Sequence, residues 1–121
     1  MATLVSGTTD PQSKLAVNGT ITSKEVIVTT DGWSDFVFDN HYKLKDLEEV
    51  KQFIEENNHL PDIPSEKEVL VSGIELGKMD AKLLQKVEEL TLYMIEMNQR
   101  MKTVEAENKS LKEEINILKA L

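Results

Sequence analysis

A heptad runs through the last third of this chain. Leu83, Val87, Leu90, Met94, Met97, Met101, Val104, Asn108, Leu111, Ile115 and Leu118 step through it by alternating gaps of four and three, and ten of these eleven positions are apolar. On a helix, that spacing lays the side chains along one seam that only a partner helix can bury. A chain carrying such a seam is expected to work as an oligomer.

The flanking charges add a direction. With Val87, Met94, Met101, Asn108 and Ile115 at a and the other seam residues at d, the g residues Arg100, Glu107 and Glu114 are each followed five residues on by Glu105, Lys112 and Lys119 at e. All three pairs are of opposite sign, and g meets e between neighbouring helices when strands run parallel and in register. Each exposed pair contributes only about 0.2–1 kcal/mol, so the charges choose orientation while the apolar seam supplies stability. Strand number stays open. Leu at most d positions, with Val87 and Ile115 at a, leans toward a dimer. Val104 at d fits a dimer poorly, and the three Met residues fit either geometry. Asn108 at a reads as a register-setting polar residue, with a buried ion site on a three-fold axis as the alternative.

Composition narrows the function. The chain has 121 residues, room for one small domain and a coil. A net charge of −8 opposes nucleic acid and anionic membrane as partners. With no cysteine there is no disulfide framework, thiol nucleophile or Cys-held metal. No apolar run reaches the roughly 18–20 residues that span a bilayer, and the start lacks the blocks of a signal peptide.

Along the chain, residues 1–13 read as a flexible lead-in. Leu15-Ala16-Val17 and Thr20-Ile21-Thr22 flank Asn18-Gly19, which tolerates the turn of a two-residue hairpin. A further strand is expected over residues 25–30. One chain has too little of this β structure for a stable sheet, whereas three copies around an axis could bury Val17, Ile21, Val26 and Val28 together. Residues 14–32 are therefore expected to form a β-hairpin or collar. Residues 33–79 follow as a small α+β body. Within it, Asp46 and Glu49 form a capping-box spacing ahead of an apolar face of Leu47, Val50, Phe53 and Ile54, and Asn57-Asn58 then Pro61 end that helix. Ser65 and Glu68 open a second, short helix. Gly73 and Gly77 mark a loop, and the long helix is expected over residues 80–121, with Asp80 as its N-cap and a length of roughly 60 Å. Leu84, Leu92, Tyr93 and Ile95 are apolar off the seam. Residues 80–97 are thus expected to pack against the 46–57 helix and against sister helices, with a free stalk beyond Gln99.

Candidate chemistry is sparse. His41 and His59 lack a metal-ligand spacing. Ser34 precedes Lys43 by nine residues and Lys45 by eleven, and a Ser hydroxyl can be activated by a buried neutral Lys. Trp33, Phe36, Phe38 and Tyr42 are four of the six aromatics. They read as core, with Trp33, Phe36 and Tyr42 as the alternative platform for a ligand.

Several segments together resemble the C-terminal part of phage tail-fibre and tailspike-type proteins and of bacterial surface proteins built like them. They are Val17-Asn18-Gly19-Thr20-Ile21, Trp33-Ser34-Asp35-Phe36-Val37-Phe38, Tyr42-Lys43-Leu44, Leu47-Glu48-Glu49-Val50, His59-Leu60-Pro61-Asp62-Ile63-Pro64-Ser65, and Leu84 through Tyr93. The layout is similar to the intramolecular chaperone that ends endosialidase-type tailspikes. The resemblance implies a module that trimerises, aligns three β-structured chains and ends in a helical coil. It also implies self-cleavage before the Ser of a Ser-Asp pair, aided by a Lys in an Arg-Leu-Lys-like motif. Ser34-Asp35 matches the first element. Lys43-Leu44-Lys45 matches the second loosely, with Tyr42-Lys43 where Arg stands in the pattern.

The expected fold is thus α+β: a short β collar, a small α+β body and a long parallel coiled coil, with a trimer favoured once the collar and the resemblance are added to the heptad. The expected function is a trimerisation or chaperone-like module that registers an upstream fibre segment, at a virion tail fibre or bacterial surface. Its partners are copies of itself and that upstream segment, with a host-surface receptor for a fibre tip. No nucleic acid, membrane insertion or cofactor is expected. The alternatives are a Ser34–Lys43 or Ser34–Lys45 self-cleaving protease and a receptor-binding tip.

Overall fold

The computed structural model describes the backbone of Leu4–Ser6, Thr9 and residues 13–121. The expected lead-in lies largely outside the described residues, but Leu4–Ser6 within it is a strand (β1). Four further elements follow: β2 (Leu15–Val17), α1 (Leu47–Asn57), α2 (Glu66–Ser72) and α3 (Leu76–Ala120). The chain is mostly helical, and the 45 residues of α3 extend about 68 Å.

The expected hairpin does not form. β2 pairs in parallel with β1, Leu4 opposite Leu15 and Ser6 opposite Val17, and residues 20–22 and 25–30 are not strands. A two-stranded ribbon is marginal without a surface to cover it, and here Ile21, Val26 and Ile27 remain exposed, Ile27 at 87 %. The fold class is accordingly corrected: helices dominate, and β structure among the described residues is confined to one short parallel pair.

The helix boundaries of the body follow local chemistry. Asp46 caps α1, its carboxylate accepting from the Glu49 amide at 3.0 Å. Asn58 closes α1 in the left-handed region at φ 59°, a conformation Asn tolerates, and its amide donates to the Ile54 carbonyl at 2.8 Å. Ser65 caps α2 through the Glu68 amide at 3.2 Å, and Gly73, at φ 66°, ends it.

The start of α3 differs from expectation. It begins at Leu76 rather than Asp80, with Glu75 at its N-cap and no side-chain cap. Gly77, expected in a loop, sits in the first turn, and its role there is room. A Cβ at Gly77 would lie 2.8 Å from Thr30 Cγ2 and 2.9 Å from Val28 Cγ1. The bare backbone lets the 28–30 segment lie directly against the helix, and this contact offsets the roughly 1 kcal/mol a helical Gly costs relative to Ala.

The protomer has little interior of its own. Among the described residues, Val37, at 2 % exposure, is the one fully buried aliphatic side chain. Pro61 and Gln85 are also buried. The aromatics expected in the core do not fill it: Trp33, Phe36 and Phe38 are exposed, and Tyr42 is half-buried. A compact monomer of this mass would expose about 6,600 Å², yet this chain exposes 10836 Å². Much of the excess lies on α3, which is exposed at every residue from Met94 on.

Candidate functional site: an uncovered helix seam

The body holds α3 by loops rather than by α1. The loop before α1 brings Tyr42, whose phenol donates to Glu89 Oε1. The Pro61 turn brings Asp62, left-handed at φ 68°. Lys86 Nζ sits between two carboxylates, 3.1 Å from Asp62 Oδ2 and 3.0 Å from Glu89 Oε2. Gln85, only 8 % exposed, donates to Glu89 Oε1 at 3.1 Å and also approaches Asp62 at 3.4 Å. One turn beyond Glu89, the Tyr93 phenol donates to the Lys45 carbonyl. The expected packing of the 46–57 helix flat on α3 is replaced by a cavity of about 160 Å³, lined by Leu47 and Val50 on one side and Lys86, Leu90 and Tyr93 on the other.

In this cluster Lys86 offsets part of the charge of two carboxylates. Burial pushes the Glu89 carboxyl up, but hydrogen bonds from Tyr42, Gln85 and Lys86 outweigh it and hold the group below the usual carboxylate range. Burial, then the bond to Glu89, pushes the Tyr42 phenol up to about 12. Burial, with Glu89, Asp46, Glu49 and Glu96 nearby, also raises the Tyr93 phenol. Among the described residues no buried side-chain nitrogen or oxygen lacks a hydrogen-bond partner, and the cluster acts as a clasp.

What the clasp covers defines what it leaves open. Ala81, Leu84, Gln85, Glu88, Glu89, Leu92 and Tyr93 are shielded. At about 100° per residue these occupy b, c, e, f and g positions of α3, centred opposite the a and d seam. Every apolar seam residue from Leu83 to Leu118 is exposed, between 48 % and 70 %, and Asn108 lies among them, also exposed. Beyond Arg100 every residue of the helix is exposed. Ile95, expected to pack on the body, is instead 50 % exposed.

The other sequence candidates are dispersed. Among the described residues no hydrogen bond joins Ser34 to Lys43 or Lys45. Lys45 Nζ lies over the Phe53 ring, 5.5 Å from its centre, and Lys43 is exposed at the rim of the cavity. Trp33 is 57 % exposed. Phe36 stacks obliquely on Tyr42 with ring centres 5.6 Å apart. Sequence reasoning missed Gln85, Glu89, Lys86 and Asp62 as a unit. Their only signal was the surplus of polar residues on an otherwise apolar stretch of helix, since the partners are 23 to 47 positions apart.

Among the described residues no group of three or more His, Asp or Glu side chains is placed to hold a metal ion, and no helix is long and apolar enough to cross a membrane. No protein-family model, curated protein or solved structure matches the chain.

Proposed function

We propose that this chain is a homotrimeric assembly module of the tail-fibre type, a chaperone-like end piece that joins three copies in parallel and registers the fibre segment attached to it. The observation that carries this reading is the seam: ten apolar side chains in heptad spacing, all exposed, on a helix whose opposite side is clasped by its own body. Burying what remains exposed contributes about 1 kcal/mol per residue, on the order of 10 kcal/mol per chain.

Three copies rather than two are favoured by the N-terminal segment. Ile21, Val26 and Ile27 are exposed and unpaired in one chain, and a three-fold arrangement brings three such segments together where the helices converge. Joining long β-rich chains is slow because distant contacts form only after a large loss of chain entropy. A coil that assembles first raises the local concentration of the remaining parts.

Multi-angle light scattering over a range of concentrations tests the proposal. The expected mass is three times that of the chain; a constant mass of one or two chains overturns the trimer. Removing residues 100–121 is expected to weaken assembly while leaving the clasp intact, because every residue in it precedes Gln99. Loss of the circular dichroism signal of the body in that truncation would contradict the division of α3.

A second reading, a receptor-binding tip, draws on the exposure of Trp33 and Phe36. Acrylamide quenching separates the two. As the single Trp, Trp33 should be shielded on assembly if it lies between copies, and should stay fully quenchable if it forms a tip.

A further inference from the structure

Because the hairpin expected at Asn18-Gly19 does not form, the pair leaves β2 uncovered. Asn18 and Gly19 follow Val17 directly, and both are exposed. Among the described residues positive φ is confined to Asn58, Asp62 and Gly73, so neither Asn18 nor Gly19 is held in the conformation of a two-residue hairpin turn. Open space surrounds Gly19: a Cβ built on it would meet no atom within 4 Å. Among the described residues the Gly19 amide donates no hydrogen bond.

We propose that Asn18 is a site of spontaneous covalent modification, deamidation through a succinimide, with isoaspartate as the main product. The Gly19 backbone nitrogen gives its proton to hydroxide and attacks Asn18 Cγ. The Cγ–Nδ2 bond breaks, ammonia leaves, and a five-membered ring closes. Water then adds to one of the two ring carbonyls. Opening at Cγ gives aspartate; opening at the main-chain carbonyl gives isoaspartate, with the chain routed through the side-chain carbon. The sum consumes one water and releases one ammonia, and nothing is oxidised or reduced. Glycine favours the closure because no Cβ crowds the attacking nitrogen.

The structure sets Asn18 apart from the other asparagines, because most of them lack a free nitrogen on the following residue. The His41 amide, after Asn40, donates to Asp39 Oδ1 at 2.8 Å. The Asn58 amide, after Asn57, donates to the Ile54 carbonyl at 2.8 Å, and the Asn57 side chain itself donates to the Phe53 carbonyl. Asn98, Asn108 and Asn116 lie within α3, where the next amide is committed to the helix ladder. Asn58 is followed by His59, whose side chain crowds the approach that a glycine leaves open. The exchange adds a negative charge to each chain. In the isoaspartyl form it also lengthens the backbone by a methylene between the β1–β2 pair and the exposed segment of Ile21, Val26 and Ile27.

Peptide mapping tests the proposal. The full chain is held in mildly alkaline buffer, folded or in urea, then briefly digested with trypsin, and the peptide of residues 15–24 is followed by liquid chromatography and mass spectrometry. In the folded chain this peptide is expected to convert before any other asparagine peptide, into two peaks of the acid mass, the isoaspartyl one larger. Its rate should be nearly the same in urea, whereas the peptides holding Asn57 and Asn108 should convert faster once unfolded. Gly19→Ala is expected to slow the conversion severalfold with an unchanged circular dichroism spectrum, since the added methyl has room. The proposal is overturned if residues 15–24 convert far more slowly folded than in urea, if another asparagine converts first, or if Gly19→Ala converts at the parent rate.

Discussion

The Tyr93 phenol donates to the backbone carbonyl of Lys45 across 48 positions of sequence, at 2.5 Å. It is the last bond between the body and α3 before the helix runs free. Tyr93→Phe keeps the ring and removes the donor. The expected loss is about 1 kcal/mol, within the range of a single hydrogen bond. Urea titration followed by near-UV circular dichroism should show a lower midpoint with an unchanged slope. An unchanged midpoint would show that water replaces the bond without loss.

The clasp also sets a pH window. Glu89 is held below the usual carboxylate range in the folded chain, so its contribution is present above the ordinary glutamate pKa and is lost as pH falls through the lowered value. Tyr42 is raised from 10.0 to about 12, so its contribution is full below pH 10 and is lost between there and about 12. Thermal melting against pH is expected to fall off at both ends. Tyr42→Phe should shorten the alkaline loss, leaving the part due to Tyr93, whose phenol is raised in the same direction. An identical alkaline limb in Tyr42→Phe would remove Tyr42 from the clasp.

Gly77→Ala sets two effects against each other. The helix gains about 1 kcal/mol of intrinsic propensity. The new methyl, however, meets Val28 and Thr30, both closer than 3.0 Å and both stiff β-branched side chains. Helix content is expected to hold while residues 26–31 lift away. Limited proteolysis should cut there faster than in the parent, and the Trp33 emission should shift. Equal cleavage rates would mean that the segment adjusts in place.

Asn108 is the one polar residue in the seam. Asn108→Val is expected to raise the melting temperature of the assembly, because a desolvated amide is replaced by an apolar side chain, and to loosen strand number and register. Light scattering of the variant should show a mixture of masses where the parent shows one. A single, unchanged mass would assign the choice of partner number to the body rather than to Asn108.

Some of this molecule is visible in single stretches of sequence. Asp46 and Ser65 are legible as caps because capping acts over three residues, and Asn58 and Gly73 as stops because the left-handed region favours their types. The a and d seam is legible because a helix repeats every 3.6 residues wherever it occurs. The hairpin at Asn18-Gly19 misled because a turn signal is local, whereas a ribbon persists only with a surface to pack on. The α3 start at Leu76 was hidden because Gly77 disfavours helix by itself and is accommodated only by Val28 and Thr30 from a distant segment. Val37 took the interior that its aromatic neighbours were expected to fill, a choice made by packing geometry rather than by hydrophobicity.

The sequence by itself therefore determined that a long helix carries an apolar seam with parallel-favouring charges, since those properties depend on spacing within one element. Only the tertiary structure decided which sides of that helix are taken. The bonds of Tyr42, Asp62 and Lys45 to Glu89, Lys86 and Tyr93 join residues remote in sequence, and they place the body on the side away from the seam. The seam stays free for other chains because the polar groups that clasp the helix are satisfied on its opposite face.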